Sequence, residues 1–97
     1  MSGPLTIVAR IVPKPGVEDE LETAMKDLIA ATRQEPGCIL YDLHRSSEGP
    51  CIFVFYETWE SKPLWEAHMA GAAIQAFREA ANHMIESGEV LQMSRVA

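Results

Sequence analysis

Cys38-Ile39-Leu40-Tyr41-Asp42-Leu43-His44-Arg45-Ser46 runs into Ser47-Glu48-Gly49-Pro50 and out again through Cys51-Ile52-Phe53-Val54-Phe55-Tyr56-Glu57-Thr58. Both flanks are rich in β-branched and aromatic residues, and the four residues between them are turn formers. The segment therefore reads as one antiparallel hairpin. With the turn centred between Glu48 and Gly49, Ile39, Tyr41 and Leu43 share a face with Ile52, Val54 and Tyr56. Cys38, Leu40, Asp42 and His44 then share the other with Phe53, Phe55, Glu57 and Trp59; a one-residue bulge would exchange the two sets.

Upstream of the hairpin, Leu5 to Val12 is apolar, β-branched and stopped by Pro13 and Pro15-Gly16, a strand. Val17, Leu21, Ala24, Met25, Leu28, Ile29 and Thr32 follow at three- and four-residue spacing, with acidic residues crowding the first turns and Pro36-Gly37 at the end. That is an amphipathic helix with charge suited to its dipole. Downstream, Ser61 is a helix cap, Pro63 is tolerated in the first turn, and Leu64, Trp65, His68 and Met69 fall on one face. The helix breaks near Gly71, and a second stretch carries Ile74, Phe77, Ala80, Ala81, Met84 and Ile85 inward before Ser87-Gly88. Glu89 to Val96 makes a last strand. The order β-α-β-β-α-β, with no internal repeat, predicts an α+β, ferredoxin-like fold: one antiparallel sheet with helices on one face, in a single domain over residues 1–97.

A sheet covered on one side should alternate apolar with polar residues. In the first strand Ile7, Ala9 and Ile11 lie opposite Val8 and Val12, and in the third Phe53 and Phe55 lie opposite Ile52, Val54 and Tyr56. Both faces need cover, and a chain of 97 residues has no second layer to offer. A second copy packed sheet to sheet, a homodimer, is the simplest source; a small sandwich with an apolar exterior is the alternative.

Fourteen acidic against eight basic side chains give a formal charge of −6 with no basic cluster, which argues against nucleic acid. The longest apolar run, around Ile52 to Tyr56, is far short of the ~20 residues that cross a bilayer, and the amino terminus lacks the pattern of a secretion signal. A cytoplasmic protein is expected, with no membrane partner. Cys38 and Cys51 lie too far apart along the hairpin to pair and lack metal-ligand spacing, so free thiols and no metal site are expected.

Between Glu57 and His68 a strand end runs into a helix start with a carboxylate, two indoles and an imidazole: Glu57, Trp59, Trp65 and His68. Such groups could line a mostly apolar pocket with a few polar contacts, or the tryptophans could be plain core. His68, on the face of Leu64 and Trp65, is a satisfied core residue or a site residue; His83, beside Glu79 and Glu86, reads as solvated.

The string Glu35 to His44, followed by Phe53 to Ser61 and Leu64 to His68, resembles the antibiotic biosynthesis monooxygenase family, small dimeric α/β-barrel proteins that include quinol monooxygenases. The similarity spans nearly the whole chain, and Glu-x-Trp followed nine residues later by His is its most specific combination. The resemblance implies oxidation of a quinol or polycyclic phenol by dioxygen without metal, flavin or haem, and this sequence holds no GxGxxG, P-loop or HExxH. It implies that Trp59 walls the pocket and reaches substrate through its N–H. It makes His68 a proton acceptor or orienting group and Glu57 a further catalytic candidate, with Tyr41, His44, Phe55, Trp65 and Arg78 contacting an aromatic substrate. Some features depart from the family. Many relatives have a second histidine where Ala73 stands, and a haem-degrading branch uses an asparagine and a histidine where Ala9 and Arg78 stand, which disfavours haem. Another relative processes a phosphorylated sugar; Arg10, Arg45 and Arg78 are available for a phosphate but scattered, so a phosphorylated carbonyl compound stays a minor alternative. A non-catalytic binding module, and an isomerase or lyase of a small carbonyl compound, remain as other uses of the scaffold.

Overall fold

Burial with a period of two along residues 53–59 orients the sheet. In the computed structural model, which describes residues 3–97, Phe53, Phe55, Glu57 and Trp59 are buried on the helix-covered face while Val54, Tyr56 and Thr58 point the other way. The strands are β1 (Leu5–Pro13), β2 (Cys38–Arg45), β3 (Phe53–Trp59) and β4 (Ile85–Met93), all antiparallel to their neighbours in the order β2-β3-β1-β4. Three helices, α1 (Glu18–Thr32), α2 (Lys62–Met69) and α3 (Ala72–Ala81), complete the ferredoxin-like α+β fold. Leu21, Met25, Leu28 and Ile29 of α1, Trp65 of α2 and Ile74 and Phe77 of α3 close over Ile7, Tyr41, Phe53 and Phe55. Each such side chain contributes ~1.5–3 kcal/mol on burial. No described helix is long and apolar enough to cross a membrane.

Local chemistry sets the breaks. The Ser61 hydroxyl accepts the Leu64 N–H at 3.4 Å and caps α2. At Gly71, between α2 and α3, a Cβ would lie 3.2 and 3.3 Å from the Ala67 and His68 carbonyls, so glycine suits the tight change of direction. Gly37 (φ +84) is more constrained still: a Cβ would meet Leu64 Cδ1 at 2.5 Å, which presses the loop before β2 against α2.

Two expectations are corrected. The hairpin register is one residue off the sequence reading: Arg45 pairs with Phe53, and Ser46 N–H donates to the Ile52 carbonyl. Tyr41 and Leu43 thus face the helices beside Glu57 and Phe55, while Leu40, Asp42 and His44 pair with Thr58, Tyr56 and Val54 on the outer face. An irregularity between Cys38 and Leu40 returns Cys38 to the Trp59 side and leaves Ile39 57% exposed. The second correction concerns the last strand. Helical periodicity through Met84 and Ile85 is broken at Ala81, a 3-10 turn spans Asn82–Met84, and β4 already begins at Ile85 rather than Glu89. Pairing with β1 decides this, since Ile85 and Ser87 stand opposite Pro13 and Val12 and the Met84 carbonyl accepts the Lys14 N–H at 2.8 Å. Ser87-Gly88 lies inside the strand, not at a helix end.

On the outer face Val8, Leu40 and Val54 are half-buried and Tyr56, Leu91 and Met93 exposed. The described residues place no second layer on them. Cys38 and Cys51 are both free thiols.

Candidate active site

Glu57 lies near the middle of the sheet, opposite Tyr41 of β2 on one side and Ile7 of β1 on the other, beneath the helices. It is 4% exposed, and its Oε1 accepts the Trp59 Nε1–H at 2.9 Å. Residues two apart on a strand share a face, so β3 itself sets up this contact. Burial pushes the Glu57 carboxyl up to about 7, with the indole N–H pulling the other way. Its second oxygen has no hydrogen-bond partner among the described residues, and Glu57 opens on a cavity of ≈ 180 Å³ walled by Ile7, Ala9, Tyr41, Phe55, Trp65 and Phe77. Arg78 also lines the cavity, its side chain exposed and its Nη1 3.4 Å from the Met69 carbonyl. Burial, reinforced by the charge of Glu57, raises the Tyr41 hydroxyl pKa far above its ordinary range and keeps it protonated as a donor.

Trp59 and His68 stand behind this wall instead of lining it. Trp59 is fully buried, with the His68 ring stacked on it at 4.8 Å and 29° and the Tyr41 ring edge-on at 6.4 Å. The His68 Nδ1 lies 2.6 Å from Glu35 Oε1. Burial holds the imidazole pKa below its ordinary value, against the opposing pull of Glu35. Of the residues expected from sequence, Glu57, Tyr41, Phe55, Trp65 and Arg78 meet at the cavity, Trp59 touches it through Glu57, and His68 acts one residue further back. His44 is not brought there: it is exposed on the outer face opposite Val54, a consequence of the shifted register. Glu35 is the participant that sequence reasoning missed, since nothing local signals a contact 33 residues away.

Two of the larger depressions hold less chemistry. One of ≈ 500 Å³ between α1 and β2 is lined by charges already paired, Arg45 with Asp19 and Glu22 and Lys26 with Glu22. Another of ≈ 1030 Å³ is the open outer face around Val8, Tyr56 and Met93. Arg10, Arg45 and Arg78 do not converge on either. Among the described residues no cluster of three or more His, Cys, Asp or Glu side chains could hold a metal ion.

Residues 4–80 match the family model described as antibiotic biosynthesis monooxygenase. Over 68 residues the chain is 32% identical to Rv0793 of Mycobacterium tuberculosis, whose name provisionally describes a monooxygenase; the match covers 70% of this chain and 66%, just under two thirds, of that protein. The crystal structure of PA3566 from Pseudomonas aeruginosa superposes with a TM-score of 0.91 at 31% identity, covering 100% of this chain and 98% of the other. That of SO0527 from Shewanella oneidensis gives 0.86 at 32% identity, covering 94% and 89%.

Proposed function

The chain belongs to the antibiotic biosynthesis monooxygenase family, and from that membership we propose that the Glu57 cavity is the active site of a cofactor-independent monooxygenase acting on a quinol or similar hydroxyarene. The observation that carries this reading is one carboxylate, tuned by burial to about 7 and held on one oxygen by Trp59, opening into a hollow walled mainly by apolar and aromatic side chains, with Arg78 and Asn82 at its lining. A cavity of about 150 Å³ holds benzene, so ≈ 180 Å³ favours a single ring over a polycyclic one.

The chemistry needs only the electrons of the substrate. Glu57 accepts the hydroxyl proton, and the phenolate passes one electron to dioxygen. The resulting radical pair joins at a ring carbon bearing hydrogen. The proton on Glu57 returns to the distal oxygen, and the ring hydroperoxide loses water as its C–H proton leaves, so the carbon becomes a carbonyl. One oxygen atom enters the ring, the other departs as water, and quinol plus dioxygen yields hydroxyquinone plus water. A group with a pKa near the working pH serves such two-way transfer well. Tyr41 can donate to the developing oxyanion, and the apolar walls exclude water that would quench it.

Oxygen uptake by purified protein, measured with single-ring and fused-ring quinols in the presence of chelator and again under anaerobic conditions, tests the reading. Consumption of a single-ring quinol with stoichiometric oxygen is expected. Absence of uptake across the panel removes the oxygenase assignment, and conversion without oxygen would transfer it to an isomerase or lyase using the same base.

The proposal includes one domain over residues 1–97 and a homodimer in the cytoplasm, a setting that suits two free thiols. The apolar outer face around Val8, Val54 and Tyr56 supports the second copy. Sedimentation should return twice the 10.7 kDa chain mass, and Tyr56→Lys should shift it toward the monomer; a monomeric parent protein at micromolar concentration rules the dimer out.

A further inference from the structure

Glu35 sits in the loop between α1 and β2, and its carboxylate crosses to α2 to meet His68 Nδ1 at 2.6 Å. The loop is anchored there by other contacts too: Gly37 packs on Leu64, and the Gly37 carbonyl accepts the Glu60 N–H at 2.9 Å. From His68 the contacts continue inward, through the ring stacked on Trp59 at 4.8 Å to the indole N–H that binds Glu57 at 2.9 Å. A buried neutral imidazole has a single N–H, and the hydrogen bond at one nitrogen decides which atom carries it. A carboxylate at Nδ1 selects the Nδ1–H form.

We propose that Glu35 is a positioning residue: by accepting the Nδ1 proton of His68 it sets the tautomer and holds the imidazole flat on Trp59, which aims the indole N–H at Glu57 and leaves the other Glu57 oxygen turned to the cavity. The effect on turnover rests on the monooxygenase reading; the effect on His68 does not. The groups facing the imidazole are Glu35 from the loop, Arg78 from α3 and the Tyr41 ring at 5.6 Å from β2. Arg78 disfavours the imidazolium, as burial does, and Glu35 alone favours it. Glu35 is only part-buried, with a side chain 22% exposed, so its replacement leaves the core intact.

Nitrogen-15 spectra of the imidazoles report the tautomer directly, and Glu35→Leu and Glu35→Gln separate loss of the acceptor from loss of the charge. The parent and Glu35→Gln should both show Nδ1–H, with the His68 titration moved to lower pH in Glu35→Gln because the favouring charge is gone. Glu35→Leu should move the proton to Nε2 and, with a quinol that the parent oxidises, lower kcat about 10²-fold with KM changed by less than about twofold, the pattern of a displaced catalytic group. Glu35→Gln should restore most of that kcat. An Nε2–H form in the parent, unchanged spectra in Glu35→Leu, or a shifted tautomer with undiminished kcat would each overturn the proposal. If the tautomer shifts in a protein that oxidises no quinol, the role of Glu35 on His68 stands and the monooxygenase reading is what fails.

Discussion

Glu57→Gln should lower turnover about 10²–10⁴-fold, the range expected for loss of a general base, while making the folded protein more stable above neutral pH. Both effects come from one proton. The folded carboxyl titrates at about 7 against 4.5 for the free group, because burial disfavours its charge. Below about pH 4.5 both folded and unfolded states are protonated and the stability contribution is fully present. As pH rises toward 7 the unfolded chain releases its proton first, stability declines, and the loss is complete once the folded carboxyl has ionised. The difference amounts to about 3 kcal/mol, or roughly 10–20 °C in Tm for a domain of this size. Glutamine fills the same space, accepts the Trp59 N–H through its amide oxygen and carries no charge, so it escapes the decline. Thermal melts of parent and variant between about pH 5 and about pH 8 should therefore diverge, and kcat/KM of the parent should rise with pH through about 7. Parallel melting curves would mean that Glu57 is solvated and would remove the basis for its role as base.

Trp59→Ala should cost about 3–5 kcal/mol, the loss seen when a large aromatic leaves a core that cannot collapse. Trp59 is 0% exposed, carries the stacked His68 ring and the edge of Tyr41, and lies at the end of β3 where the strand turns into α2. Truncation also strips Glu57 Oε1 of its indole donor. Trp59→Phe divides the two contributions. It keeps one aromatic ring in the core and removes only the N–H and part of the volume, so its stability cost should stay well below that of Trp59→Ala. Because the indole N–H lowers the Glu57 pKa, its removal should move the rise of kcat/KM to higher pH. Urea titration of both variants, with the pH profile of Trp59→Phe, checks the pair. Equal destabilisation by Ala and Phe would show that the N–H, not the packing, dominates at this position.

Much of the site was legible in order but not in depth. The spacing of Phe55, Glu57 and Trp59 on one strand and of Trp65 and His68 on one helix predicts a meeting near the β3–α2 junction; Phe55, Glu57 and Trp65 line one cavity, and Trp59 stacks on His68 behind it. That Glu57 rather than Trp59 faces the cavity depends on how Trp65 of α2 and Ile74 and Phe77 of α3 settle over the sheet residues Ile7, Ala9 and Phe55. His44 was misplaced because face assignment in a hairpin turns on a single residue of register, and residues 46–52 make a longer connection than a tight four-residue turn.

What the chain determines by itself is what short-range backbone geometry can express: periods of two and near four, turn formers at Pro36-Gly37, Glu48-Gly49-Pro50 and Gly71, and hence the element order and the fold. Tertiary structure alone decides the register of β2 on β3, the early start of β4 opposite Pro13, and the approach of Glu35 to His68. These depend on pairing and packing free energies summed over segments distant in sequence, and no local pattern carries that sum.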